Sequence, residues 1–267
     1  TKVIAGPAKK SRVITEKERK LTAYHEAGHA IVMRSIPESD PVHQITIIPR
    51  GGAGGFTMQL PEEDKQYATK GMMLNDIKHL LGGRVAELLT LDDISTGASN
   101  DIQRATDVAR AMVTKYGFSD KLGPVNYSDS EEVFLGNDFS SKKSYSEEVA
   151  AEIDHEIRRI VEEAFEETKK IISENLDKLE RVAQALLAVE TLDGQQFEQL
   201  YTGEKSAEDI ENDVMEKEAE IRKVNAQEAE ESEKLRREAE ERLMEEIERL
   251  RNQYVSADGT THRRDEE

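Results

Sequence analysis

The chain has 267 residues, of which 36% are hydrophobic and 35% are charged, and its formal net charge is -19. This length suits one sizeable domain with an appendage. The negative charge argues against nucleic acid or an anionic membrane surface as a partner, because both attract clustered Lys and Arg. The chain contains no cysteine, so any metal must be bound by His and carboxylate side chains.

The spacing of apolar residues predicts a mainly helical fold. Thr15 and Glu18 have capping-box spacing and mark the start of a first helix. Residues 42–60 change to a strand-like pattern around a glycine-rich turn, which predicts a small antiparallel β ribbon. Further helices are predicted at about 69–89, from residue 100 or 101 to Gly117, and, as two or three helices, between Ser146 and Leu200, with a break at Asp193-Gly194. Residues 122–139 are predicted to form a loop.

The composition changes sharply after Gly203, where Glu, Lys and Arg become dense and aromatic residues almost disappear. Coiled-coil spacing is present only near the end of this segment, at Leu243, Ile247, Leu250 and Tyr254. Because the apolar stripe is lost around residues 227–233, we predict a charged, helical or partly disordered extension and not a stable coiled coil. The predicted organisation is a basic linker over 1–20, a main domain over 21–203 and an acidic tail over 204–267.

Residues 25–29 match the pattern H-E-x-x-H. His25 and His29 are four residues apart, so they share one helix face and can converge on one Zn²⁺. Zinc lowers the pKa of water, and Glu26 is placed to accept a proton as that water attacks a carbonyl group. Both histidines lie on the apolar stripe of the first predicted helix, where uncompensated polar rings would be costly. The pattern therefore predicts a zinc site with Glu26 as the catalytic general base.

A catalytic zinc ion usually has a third protein ligand, and the sequence offers two candidates. Glu87 lies within the second predicted helix, where its other reading is an ion pair with Arg84. Asp101 lies at the start of the third, where its other reading is a carboxylate that stabilises the helix N-terminus. The pattern alone does not choose between them. It also leaves open which group stabilises the tetrahedral intermediate, for which Tyr24 and Tyr116 are equal candidates.

Seven motifs follow one another along the chain. They are AYHEAGHA at 23–30, VHQITIIPRG at 42–51, GGRVAE at 82–87, STGASND at 95–101, MVTKYGFS at 112–119, LGP at 122–124 and VFLG at 133–136. In this order they resemble the FtsH family of ATP-dependent membrane proteases, over about residues 1–203. The resemblance implies that Asp101 is the third zinc ligand and that Glu87 is a carboxylate beside the site.

The resemblance also implies a mainly helical peptidase domain with a short β edge near the zinc. Along this edge an extended substrate backbone would pair with Ile45, Thr46, Ile47 and Ile48, or alternatively with residues 56–60. Members of the family are homo-hexamers in which an AAA+ ATPase ring delivers unfolded polypeptides to the peptidase domains. The expected function is therefore that of a zinc-dependent endopeptidase in membrane and cytosolic protein quality control.

The chain has no G-x-x-x-x-G-K-[ST] phosphate loop and no apolar run long enough to span a bilayer. We therefore expect ATP binding and an N-terminal membrane anchor only in a full-length protein at the cytoplasmic face of the cell membrane. This fragment is expected to be soluble and to bind one Zn²⁺ per chain. The main alternative is a catalytically silent hexamer-assembly module, which the intact Glu26 disfavours. An aminopeptidase is a further alternative, which the β edge disfavours.

Overall fold

The computed structural model describes residues 15–37, 39–50, 54–61, 67–128 and 145–258. Within these ranges the helices are α1 (Glu16–Ser35), α2 (Lys70–Thr90), α3 (Ser99–Thr114), α4 (Glu147–Ser173), α5 (Leu176–Val189), α6 (Gly194–Thr202) and α7 (Ala207–Asp258). The strands are β1 (Val42–Thr46), β2 (Phe56–Gln59) and β3 (Thr191–Asp193). The predicted mainly helical class with a small β ribbon is confirmed. None of the described helices combines the length and apolar character that a bilayer crossing requires.

Several helices begin where a side chain can bind their unpaired N–H groups, although α3 and α5 have no side-chain cap. The Thr15 hydroxyl accepts a hydrogen bond from the Glu18 backbone, and the Glu18 carboxylate accepts one from the Thr15 backbone, which completes the predicted capping box of α1. The Thr69 and Ser146 hydroxyls cap α2 and α4 by accepting a hydrogen bond from the backbone N–H three residues later, without the reciprocal bond of a capping box. Residues 122–128 form no helix or strand, whereas the rest of the predicted loop and most of the predicted linker lie outside the described residues.

The three strands form one antiparallel sheet in the order β2-β1-β3. β1 is the middle strand, since Ile45 is opposite Thr57 of β2 on one side and Leu192 of β3 on the other. The sequence predicted the β1–β2 pair but interpreted the β3 region only as a break between helices. Three residues are too few to show a periodic pattern, and they become a strand through pairing with β1.

Helices α1 and α2 pack at unusually short range because glycines lie at their contact. A Cβ atom on Gly28 would lie 2.5 Å from the Ala86 Cβ and 2.6 Å from the Gly82 carbonyl oxygen. A Cβ atom on Gly83 would lie 2.4 Å from the His25 ring. These distances are far below normal van der Waals contact, so only glycine allows this approach. The Gly82-Gly83 pair of α2 is thus explained by this close helix contact.

Two hydrophobic clusters fix the helices that surround this contact. One joins α1 and the sheet to α5 and α6, and the other joins α2 and α3 to α4. Helix α2 contributes Val85 to the first cluster and Ile77 to the second. It is therefore fixed on both sides between α1 and α3, the helices that carry the predicted metal ligands.

The chain divides into two compact units after Glu211. The described part of the second unit is the remainder of α7, in which Leu243 and Ile247 are exposed. The side chains of Leu250 and Tyr254, which share the predicted coiled-coil spacing, lie outside the described residues. The division into 1–20, 21–203 and 204–267 remains a prediction.

Candidate metal centre

Three side chains from two helices meet at one point. His25 and His29 project from the same face of α1, and their Nε2 atoms are 3.1 Å apart. The Oδ2 atom of Asp101, in the first turn of α3, lies 3.3 Å from the first of these nitrogens and 3.6 Å from the second. Within the described parts of the chain, these residues form the one group of three potential ligands close enough to bind a single metal ion.

Hydrogen bonds on the outer side of each ring fix which nitrogen faces inward. His25 Nδ1 lies 2.8 Å from Glu87 Oε1, and His29 Nδ1 lies 2.8 Å from the backbone oxygen of His79. An ionised carboxylate and a carbonyl oxygen only accept hydrogen bonds, so both Nδ1 atoms are donors. In each neutral ring the lone pair is consequently on Nε2, the atom that faces the other ring and Asp101.

This arrangement requires a positive charge at its centre. Without one, two lone pairs and a carboxylate oxygen would face each other at short range. In the metal-free chain, burial alone would lower the pKa of His25, but hydrogen bonds to Asp101 and Glu87 outweigh it and raise the pKa to about 9. Burial would raise the pKa of Asp101, yet its hydrogen bonds to the two histidines hold it well below the usual range. Both shifts show that the groups around this point favour a positive charge there.

The spacing of the three atoms fits zinc. Tetrahedral zinc with bonds of about 2.0–2.1 Å separates its ligand atoms by about 3.3 Å. The observed separations of 3.1, 3.3 and 3.6 Å lie on either side of this value. Two neutral imidazoles and one carboxylate also form a typical donor set for catalytic zinc, with a fourth position left for water or substrate.

Glu87 contacts the His25 ring on the side that faces away from His29 and Asp101. Its carboxylate is fully buried and accepts hydrogen bonds from His25 Nδ1, the Ser95 backbone and the Ser95 hydroxyl. Burial would raise its pKa, but these partners and the nearby Arg84 lower it, so the group is ionised. Because Glu87 lies on the Nδ1 side of the ring, it orients His25 and is not directed at the point shared by the other three residues.

Glu26 lines the same cavity as the three clustered residues. The cavity has a volume of about 610 Å³, and its walls come from α1, β2, α2 and the start of α3. Glu26 is only 6% exposed, and burial raises the pKa of its carboxyl group. Its carboxylate accepts a hydrogen bond of 2.8 Å from the Thr57 hydroxyl of β2. The structure thus brings the predicted general base and the predicted ligands into one cavity.

The sheet argues against the predicted substrate contacts of β1. Both edges of this strand are paired, so the main chains of Ile45 and Thr46 have no free edge to offer an extended substrate. The backbone N–H of Ile47 donates to Glu190, and that of Ile48 donates to the Thr46 hydroxyl. None of these residues lines the cavity, whereas Phe56 and Thr57 of β2 do. The sequence pattern predicts strands but not their order, so it does not show that both edges of β1 are paired.

Neither tyrosine considered for the tetrahedral intermediate lines the cavity. The Tyr24 hydroxyl donates to Glu180 at 2.8 Å, and Tyr116 is exposed and stacks on Phe118. Residues that the sequence analysis passed over do line it. They are Leu21, Thr22, His79, Leu80, Asn100 and Arg104, and they are joined by Phe56 and Thr57 of the alternative substrate segment 56–60. No motif marked Thr57, because its contact with Glu26 depends on how β2 packs against α1.

Comparison with known proteins gives one consistent family. Residues 12–200 match the description Peptidase family M41. Over 205 residues the chain is 67% identical to ATP-dependent zinc metalloprotease FtsH 2 of Alkaliphilus metalliredigens, which covers 76% of this chain and 30% of that protein. Over 201 residues it is 54% identical to ATP-dependent zinc metalloprotease FtsH of Bacillus subtilis, which covers 74% of this chain and 32% of that protein. The chain thus spans about a third of the length of these curated relatives. The resemblance read from its motifs is confirmed, and the chain belongs to peptidase family M41.

Proposed function

We propose that this chain is a zinc-dependent endopeptidase that hydrolyses unfolded polypeptides. The observation that carries the proposal is the convergence of His25, His29 and Asp101 at one point of a cavity that also contains Glu26. The relatives in Alkaliphilus metalliredigens and Bacillus subtilis bear the name zinc metalloprotease. The donor set, its spacing and the inward lone pairs agree with that name.

The side chains divide the proposed chemistry among them. His25, His29 and Asp101 would hold the zinc, and Glu87 would keep the His25 ring in the orientation that presents Nε2. Zinc bound there would polarise the scissile carbonyl and lower the pKa of a water molecule. Glu26 would take the proton of the attacking water on its carboxylate and later give it to the leaving amine.

The substrate is proposed to lie along β2. This strand lies at the end of the described sheet, and one of its edges is paired with β1. Its residues Phe56 and Thr57 line the cavity. An extended polypeptide added to such an edge is held mainly by backbone hydrogen bonds, which tolerate many sequences. A strand of this kind binds the middle of a chain as readily as its end, and this favours an endopeptidase over an aminopeptidase.

For the longer protein, the relatives' names suggest ATP-dependent proteolysis. We propose that this chain is its peptidase part and that an AAA+ ATPase ring of a homo-hexamer delivers substrates to it. ATP would be bound by that ring and not by this chain. A membrane anchor outside this chain would hold the assembly at the cytoplasmic face of the cell membrane, where it would serve protein quality control.

The test is cleavage of an unfolded fluorogenic polypeptide by the purified chain without ATP. Cleavage is expected with one zinc ion per chain and is expected to stop with a chelator. Glu26→Gln should bind zinc but lose activity, whereas Glu16→Gln, an exposed change in the first turn of α1, should remain active. Wild-type activity in Glu26→Gln would contradict the mechanism. A zinc-loaded wild type that cleaves nothing would favour the silent assembly module.

A further inference from the structure

We infer that Thr57 positions the general base, and this inference rests on the proposed function. The Thr57 hydroxyl lies 2.8 Å from Glu26 Oε2 and 3.0 Å from the Glu26 backbone oxygen. Thr57 belongs to β2 and Glu26 to α1, so the contact joins the strand proposed to bind substrate to the helix that carries the base. Neither the H-E-x-x-H motif nor the proposed metal ligands include this residue.

The contact selects one oxygen of the carboxylate. Among the residues that the structure describes, Thr57 is the one hydrogen-bond donor to the Glu26 side chain, and it reaches Oε2. Oε1 receives no hydrogen bond from the described residues and therefore remains available for the proton of the attacking water. A carboxylate held at one oxygen has lost most of its rotational freedom, which is the condition under which a general base works efficiently.

The backbone around Thr57 supports this role, because β2 approaches Glu26 closely. A Cβ atom on Gly55 would lie 3.0 Å from the Glu26 Cγ and 2.6 Å from the Thr46 carbonyl oxygen. Gly55, the residue that precedes β2, is therefore packed against the aliphatic part of Glu26, while the hydroxyl of Thr57 holds its carboxylate. Thr57 is paired with Ile45 of the middle strand. Because Ile45 is fully buried, this pairing holds the backbone of Thr57 in place.

A purely structural role for Thr57 would have different consequences. The bond to the Glu26 backbone oxygen could by itself attach β2 to α1, and losing it would weaken folding or zinc binding. The hydroxyl has one proton, and Oε2 is the nearer of its two acceptors. If the contact with Oε2 is the one that matters, removing the hydroxyl lowers kcat and leaves KM and zinc content unchanged, whereas a purely structural role predicts a lower zinc content or a lower stability.

The test compares Thr57→Val, which keeps the shape but removes the hydroxyl, with Thr57→Ser, which keeps the hydroxyl. Thr57→Val should lower kcat roughly 10- to 100-fold at unchanged KM, and Thr57→Ser should retain most of the wild-type kcat. Thr57→Ala serves as a second variant without a hydroxyl, and all variants are compared at equal zinc content. Thr202→Val controls for the same exchange at an exposed position of α6.

The outcomes separate this inference from the proposed function. An inactive, zinc-loaded wild type contradicts the proposed function itself. If wild type is active and Glu26→Gln is not, a kcat of Thr57→Val or Thr57→Ala equal to wild type overturns only the role of Thr57. A Thr57→Ser variant as slow as Thr57→Val also overturns it, because the hydroxyl would then not be the group that matters.

Discussion

Replacing Gly83 by alanine tests whether the α1–α2 contact sets the geometry of the metal centre. The new Cβ would lie 2.4 Å from His25 Cε1 and 2.6 Å from both ring nitrogens. Ordinary contacts between such atoms are about 3.5 Å, so the ring must retreat by about 1 Å. Metal–ligand distances tolerate only about 0.2 Å. The ring therefore leaves bonding distance, and its 2.8 Å hydrogen bond to Glu87 is strained as well.

We expect Gly83→Ala to weaken zinc binding roughly 100-fold or more, beyond the loss typical of changes behind a ligand. Zinc affinity is measured by competition with a chromophoric chelator, and helix content by circular dichroism. Gly71→Ala is the matched control, because it lies in the same helix and its Cβ would meet nothing closer than 3.9 Å. A Gly83→Ala protein that binds zinc within about threefold of wild type would refute the reasoning.

Three further predictions follow from buried contacts. Glu87→Gln should weaken zinc binding about 10- to 100-fold, because the His25 ring loses its charged partner; unchanged affinity in the chelator competition would exclude an orienting role. Gly28→Ala should lower the free energy of unfolding by about 1–3 kcal/mol in urea denaturation, since its Cβ would overlap α2 backbone; a wild-type midpoint would contradict this. The Arg159 guanidinium lowers the pKa of Glu156 to about 2, so this carboxylate should stabilise the fold above about pH 5 by roughly 2 kcal/mol and lose that effect as the pH falls towards 2. The stability difference between wild type and Glu156→Gln should therefore shrink on acidification, and a constant difference would contradict the assignment.

The helix boundaries could be predicted because they depend on local chemistry. Thr15, Thr69, Ser146 and Asp193 each satisfy backbone N–H groups within three residues of themselves, so the sequence alone carries the signal. The order of the strands could not be predicted. β3 pairs with β1 about 145 positions away along the chain, and no local pattern encodes a partner at that distance. The predicted substrate contacts of β1 depended on the same unknown strand order, and the pairing of both its edges now favours β2 in their place.

In the metal centre, too, residues close together in the sequence could be predicted, whereas contacts between separate elements could not. His25, Glu26 and His29 lie within five residues of one helix, so their spacing alone indicated their shared face and their chemistry. The role of Thr57 depends on how a separate strand packs against that helix. A single threonine in a short alternating segment gives no indication of this, and only the 2.8 Å contact with Glu26 reveals it.

The two carboxylates that the pattern could not separate turn out to contact the same imidazole. Glu87 accepts from Nδ1 of His25, and Asp101 lies beside Nε2. Only the Nε2 side faces His29, so a metal shared by both histidines must lie on the side of Asp101. Glu87, on the Nδ1 side, lies away from that shared point. The proposed roles of Asp101 as the third ligand and of Glu87 as the carboxylate that orients the ring therefore depend on how α1, α2 and α3 pack together, which the local sequence around either acid does not encode.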